Sequence, residues 1–119
     1  LGGNDGSVLT VEVRAIGAGA VVRLAGELDP DTVEEARSGL ERALAATPGG
    51  ELLVDVAGLE FISASGLGLL AEMASRCSAG GGRLCLASPS DTLLRLLAIT
   101  ALDRDLAVAR GGPGDAPQG

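Results

Sequence analysis

An α/β domain with a mixed, mostly parallel sheet is the fold class this sequence predicts, and three observations lead to it. Strand-like and helix-like patterns alternate along the chain, short Gly- and Pro-rich connections separate them, and the first two strand patterns adjoin across a glycine turn. Right-handed crossovers would join the parallel strands. A length of 119 residues suits one such domain, long enough to bury roughly two-thirds of the surface of its unfolded chain.

The first stretch, VLTVEVRAI (8–16), alternates apolar and polar residues. GAG (17–19) is a turn signal and AVVRLAGEL (20–28) resumes the strand pattern, so a β-hairpin opens the domain. The period then changes. Asp29-Pro30 is a helix-start signature, Asp31 with Glu34 offers a second capping arrangement, and Val33, Ala36, Leu40, Ala43 and Leu44 recur at helical spacing. This helix should reach Ala46 and end before Pro48-Gly49-Gly50.

ELLVDVAG (51–58) reads as a compact strand. Its consecutive Leu52, Leu53 and Val54 predict burial on both faces, the habit of a central strand flanked by helices. The next helix should begin near Ser65 or Gly66, place Leu67, Leu70, Met73, Ala74 and Cys77 on one stripe, and stop at AGGG (79–82). RLCLAS (83–88) is a short strand, Pro89 opens a third helix with Leu93, Leu96 and Leu97, and LAVA (106–109) is a final strand. The order is ββαβαβαβ, and one face of the opening hairpin is left uncovered. Residues 1–7 and 111–119 have the Gly-, Asp-, Ser- and Pro-rich composition of mobile ends, which leaves 8–110 as the folded unit. No internal repeat is present.

Composition narrows the function classes. Hydrophobic residues are 46% of the chain with one Phe and no Trp or Tyr, so Leu, Val, Ile and Ala must fill the core. A net charge of −7, with every basic residue an arginine, argues against a nucleic-acid surface, and single strands would find no aromatic platform. A basic or neutral partner face is the natural complement. Cys77 falls in an apolar helix pattern and Cys85 in a strand pattern, which reads as two buried thiols in preference to a disulfide. No apolar run is long enough to span a bilayer, and LGGNDGS lacks the features of a signal peptide, so a cytoplasmic protein is expected if the chain is complete.

Histidine is absent, which removes Ser-His and Cys-His nucleophile pairs and the usual His-containing zinc sites. Lysine is absent too, and with it the P-loop lysine and Schiff-base chemistry. GAGAVV (17–22) lacks the third glycine of a dinucleotide fingerprint. The acidic cluster Glu27, Asp29 and Asp31 could in principle do acid–base work, but helix capping accounts for it more simply. No cofactor, metal or enzymatic activity is therefore expected.

The unusual stretch is FISASGLGLL (61–70), where a strand hands over to a helix through two serines and a glycine. Ligands of open α/β sheets meet the protein at such crossings, and free N–H groups at a helix start favour an anion, so phosphate on Ser63 or Ser65 would act as a charge switch. The plainer reading has Ser65 capping the helix, Ser63 bonded within the turn, and Gly66 allowing close approach.

GELD (26–29), LLVDVAGLEFISASGLGLL (52–70), the later Leu-rich helix and LDRDLAV (102–108) together resemble a STAS domain of the anti-sigma factor antagonist (anti-anti-sigma factor) family. The resemblance spans most of the folded unit. It implies a STAS-like single domain with helices packed mainly on one face of the sheet. It also implies a small switch that binds an anti-sigma factor which is itself a serine kinase of the GHKL ATPase fold, and so releases a sigma factor. Phosphorylation of one serine at the helix start would reverse binding and a phosphatase would restore it. The residues carried over are Asp29, Ser63, Ala64, Ser65, Gly66 and Leu67, as the partner-binding set.

The chain departs from the family at the decisive position. The usual loop is Asp-Ser-Ser-Gly-Leu, and aligning Gly66-Leu67 with its Gly-Leu puts Ser63 at the Asp, Ala64 at the phosphorylated serine and Ser65 at the second serine. Alanine cannot accept a phosphoryl group. Three consequences stay open: a constitutively competent antagonist, use of Ser63 or Ser65 as substitute acceptor, or an engineered substitution. Asp29 matches the family's acidic residue after the second strand, compatible with its role as a cap, and Asp55 is expected at a strand end, ordering the loop. Two other readings stand beside this one: a ligand-sensing or scaffold component of a signalling assembly, and an enzyme using Glu27 and Asp29. A homodimer is also left open.

Overall fold

A computed structural model describes residues 8–100 and 107–109. The ends expected to be mobile, 1–7 and 111–119, lie outside the described residues, as do 101–106 of the segment before the last strand. The chain forms β1 (Leu9–Ile16), β2 (Gly19–Leu28), α1 (Val33–Ala46), β3 (Glu51–Ile62), α2 (Ala64–Ala79), β4 (Arg83–Ala87), α3 (Asp91–Thr100) and β5 (Ala107–Ala109). This is the expected order.

One sheet runs β1-β2-β3-β4-β5. β1 and β2 pair antiparallel from Leu9↔Gly26 to Ile16↔Gly19, and every later pair is parallel. Gly17, at φ 60, supplies the positive dihedral that a two-residue hairpin turn needs at its first central position.

Alternate positions of the strands enter one core. Ala20, Val22, Leu24 and Leu28 of β2, Leu52, Val54 and Val56 of β3, and Leu84 and Leu86 of β4 are buried there with Ala36, Leu40 and Ala43 of α1, Leu93 and Leu97 of α3, and the expected stripe of α2, to which Leu69 is added. The positions between them point the other way: Val21, Leu53 and Asp55 are half-buried and Arg23 is exposed. The expectation of burial on both faces of 51–58 is thus corrected. Parallel strands added in unbroken sequence by crossovers of one hand receive every helix on the same side. The helices accordingly lie on one face, as the family resemblance implied, and Leu53 faces outward.

Local boundaries shift for identifiable reasons. α1 starts at Val33, because the Asp29 carboxylate accepts hydrogen bonds from the N–H groups of Asp31 (2.9 Å) and Thr32 (3.3 Å) and holds a turn before the helix. The buried Thr32 hydroxyl donates to the Glu27 carbonyl at 2.7 Å, so its polarity is satisfied. α3 begins at Asp91, one residue past Ser90, whose hydroxyl accepts from the Leu93 N–H at 3.0 Å. On the outer surface Arg37 of α1 reaches Glu72 of α2 at 2.7 Å, and this hydrogen bond holds the Glu72 carboxyl below its ordinary range.

Cys77 and Cys85 are free thiols, 2% and 6% exposed, and burial pushes both above the ordinary thiol range. Alkylation requires the thiolate. Iodoacetamide near neutral pH should therefore label neither in the native protein except as fast as the chain opens, and both promptly in denaturant. Mass spectrometry showing rapid native labelling would contradict this packing.

Candidate functional site

β2 and β3 end side by side, with Leu28 registered against Ile62. The Ser63 N–H donates to the Leu28 carbonyl at 2.8 Å, extending the pairing one step beyond the strands. Asp29 and Ser63 thus leave neighbouring strand ends on one edge of the sheet, and the sequence-predicted residues from both segments converge there.

Ser63 caps α2. Its backbone is extended (φ −94, ψ 175), its carbonyl accepts from the Leu67 N–H at 2.9 Å, and its Oγ accepts from the Gly66 N–H at 3.2 Å. Its hydroxyl also shares a 2.8 Å hydrogen bond with the Ser65 hydroxyl. The expectation that Ser65 caps a helix beginning near Ser65 or Gly66 is corrected by two residues: the hydroxyl sits in cap geometry at Ser63, since β3 runs on to Ile62 and delivers the extended residue there. Ser65 stands exposed in the first turn.

Ala64 is the first helical residue and is exposed, between the two serines in sequence. Gly66 and Leu67 face inward. Leu67 is 5% exposed, and a Cβ on Gly66 would lie 2.7 Å from Leu28 Cγ and 2.9 Å from Ile62 Cγ1. The predicted set therefore divides into an outward group, Ala64 and Ser65 with the half-buried Asp29 and Ser63, and an inward pair that presses α2 onto the strand ends.

Asp55 is not at a strand end. It lies within β3, where it pairs with Arg23 at 3.5 Å and accepts from the Ala57 N–H at 3.0 Å, stabilising the irregularity in register between Arg23 and Ala25. Past that irregularity β3 continues, so Phe61 and Ile62 belong to the strand. The sequence pattern stops at Gly58 because alternation breaks at the irregularity.

Among the described residues this edge is electrostatically one-sided. The connections leaving it, residues 27–32, 60–63 and 88–91, carry Glu27, Asp29, Asp31, Glu60 and Asp91 and no arginine. The strand order advances without reversal, so the ligand crevice that a reversal opens in doubly wound sheets is not formed at this crossing. What the order leaves instead is a shallow groove beside Phe61, which sequence reasoning missed. Among the described residues no helix is long and apolar enough to cross a membrane, and no cluster of acidic, Cys or His residues could hold a metal ion.

Comparison with known proteins agrees with this fold. A family model described as "Mlab, STAS domain" matches residues 11–109. An anti-sigma F factor antagonist of Lysinibacillus sphaericus is 32% identical over 82 residues, which cover 69% of this chain and 70% of that protein. The solved structure of the anti-sigma factor antagonist SpoIIAA in its unphosphorylated form superposes with a TM-score of 0.68 at 26% identity, covering 84% of this chain and 88% of that one. The Bacillus cell fate determinant SpoIIAA in its phosphorylated form gives 0.66 at 26% identity, covering 84% and 91%.

Proposed function

The chain belongs to the STAS domain family, and from that membership we propose that it is an anti-sigma factor antagonist. Its docking edge consists of Asp29, Ser63, Ala64 and Ser65 with the first turns of α2. Its partner is an anti-sigma factor of the GHKL serine-kinase type, and their association frees a sigma factor. The observation that carries the reading is the convergence of Asp29 and the Ser63–Ser65 turn on adjacent strand ends, with Ala64 exposed there.

The same turn gives this antagonist an altered off-switch. At position 64 there is no hydroxyl to receive phosphate. Ser63 uses its hydroxyl to cap Gly66, so phosphate there would cost the cap, whereas Ser65 is exposed and lies about 100° further round the helix than Ala64. A kinase that aims at position 64 meets neither serine in the right direction. The missing hydroxyl is also what favours the second reading, a STAS sensor or scaffold component; the unreversed strand order, which forms no switch-point pocket, weighs against its ligand-sensing version.

Native mass spectrometry of the chain with a GHKL-type anti-sigma kinase and Mg-ATP separates these readings. A complex without added phosphate is the expected result. Phosphate on the chain would move the acceptor to Ser63 or Ser65 and require a phosphatase for reset. No complex with any such kinase would overturn the antagonist reading in favour of the sensor or scaffold.

A further inference from the structure

β3 outruns its neighbour. β2 stays in register with it as far as Leu28↔Ile62, whereas β4 leaves at Asp55↔Ala87, so among the described residues the 56–62 segment has a strand on one side only. The chain leaves β4 through Ser88, at φ 57, and turns into α3. Between this turn and the free strand edge lies a groove of about 230 Å³, lined among others by Leu59, Phe61, Ile62, Ser90, Thr92 and Leu93. Phe61, the only aromatic residue of the chain, is 53% exposed beside it.

An unpaired strand edge is a template for another strand, and proteins that do not use it commonly block it with lysine, proline or a covering loop. Here the stretch LEFI (59–62) carries one charge, Glu60, and no proline, and the turn through Ser90 stands across the groove from it. The groove is smaller than a drug-sized ligand requires but has room for an aliphatic side chain. The free edge is about 20 Å long at the rise of a β-strand, the length of an ordinary short strand. Glu60 in the lining sets the sign of the complement, and Asp91 at the start of α3 adds to it, with Arg95 one turn further along that helix.

We propose that the free edge of β3 at 56–62 is a strand-addition site for an extended segment of a protein partner, one that places an aliphatic side chain in the groove and basic side chains beside Glu60 and Asp91. Backbone hydrogen bonds would supply register and affinity, and Phe61 would cover the inserted side chain. The inference rests on the edge and the groove alone, so its failure would leave the antagonist reading intact.

The test is a titration of the full ¹⁵N-labelled chain with a capped hexapeptide alternating valine with arginine or threonine. Saturable shifts and slowed hydrogen exchange are expected at amides of 57–62 and 90–93. Phe61→Ala should weaken binding about tenfold, as loss of an aromatic anchor does. N-methylation of alternate peptide bonds should abolish binding, which tests the backbone pairing without altering the protein. Replacing the peptide's arginines with glutamate should weaken it. No saturable change at these amides, or undiminished binding of the N-methylated peptide, would overturn the proposal. Self-association of the unliganded chain through the same amides would also overturn it, by assigning the edge to a second copy.

Discussion

Ala64→Asp is expected to weaken binding to the anti-sigma partner by about 100-fold or more while leaving the fold as stable as before. Position 64 is the first residue of α2 and is exposed, and a carboxylate in the first turn of a helix is favoured by the dipole by about 0.3–1 kcal/mol. The free protein therefore loses nothing. In the proposed complex the small methyl group is covered, and a carboxylate in its place must surrender its water without a prepared partner, a cost of roughly 3–5 kcal/mol. That is more than the 2.7 kcal/mol a 100-fold change in affinity requires. Ala64→Ser adds only a hydroxyl, should bind nearly as well as the native chain, and restores an acceptor that a partner kinase with Mg-ATP would phosphorylate. Calorimetric titration and thermal unfolding of the two variants measure both halves. Unchanged affinity in Ala64→Asp would remove the Ser63–Ser65 turn from the interface.

Much of this site was legible because its parts are local. The hairpin around Gly17, the helical stripe Leu67, Leu70, Met73, Ala74 and Cys77, and the handover at FISASGLGLL each declare themselves over a few residues through turn chemistry or period. What escaped were consequences of pairing between distant segments. Leu52, Leu53 and Val54 form an apolar run, and only the unbroken strand order decides that Leu53 faces away from the helices. β3 continues past Gly58 because β2 accompanies it beyond an irregularity in register, which no pattern within 51–62 reports. The cap falls on Ser63 for the same reason: once Ile62 is paired with Leu28, the next residue is already extended and its hydroxyl lies against the Gly66 N–H. The groove beside Phe61 follows from the early departure of β4, a length difference between two strands far apart in sequence.

Gly66 and Gly68 are separated by one residue on the same helix, and alanine at the two positions is expected to act in opposite directions. A helical glycine replaced by alanine gains about 1 kcal/mol from backbone propensity, if the new methyl group has room. At Gly68 nothing lies within 4 Å of the added carbon, and Gly68→Ala should stabilise the protein by about that amount. At Gly66 the carbon would stand 2.7 Å from Leu28 Cγ, 2.9 Å from Ile62 Cγ1 and 3.0 Å from Leu28 Cδ2. Leu28 is fully buried and Cγ is the branch point of its side chain, so relief demands movement of α2 away from the strand ends. Overpacking of this kind costs about 1–3 kcal/mol, which cancels the propensity gain or exceeds it. A net loss of up to about 2 kcal/mol should lower the melting temperature by up to roughly 10 °C in a domain of this size. The same displacement would pull Ser63 from the Leu28 carbonyl and spoil the alignment of the turn with Asp29, so Gly66→Ala should also weaken partner binding. Equal stabilisation by both substitutions in thermal unfolding would mean that α2 does not pack on the strand ends as closely as its geometry requires, and the rigid seat proposed for the docking turn would fail with it.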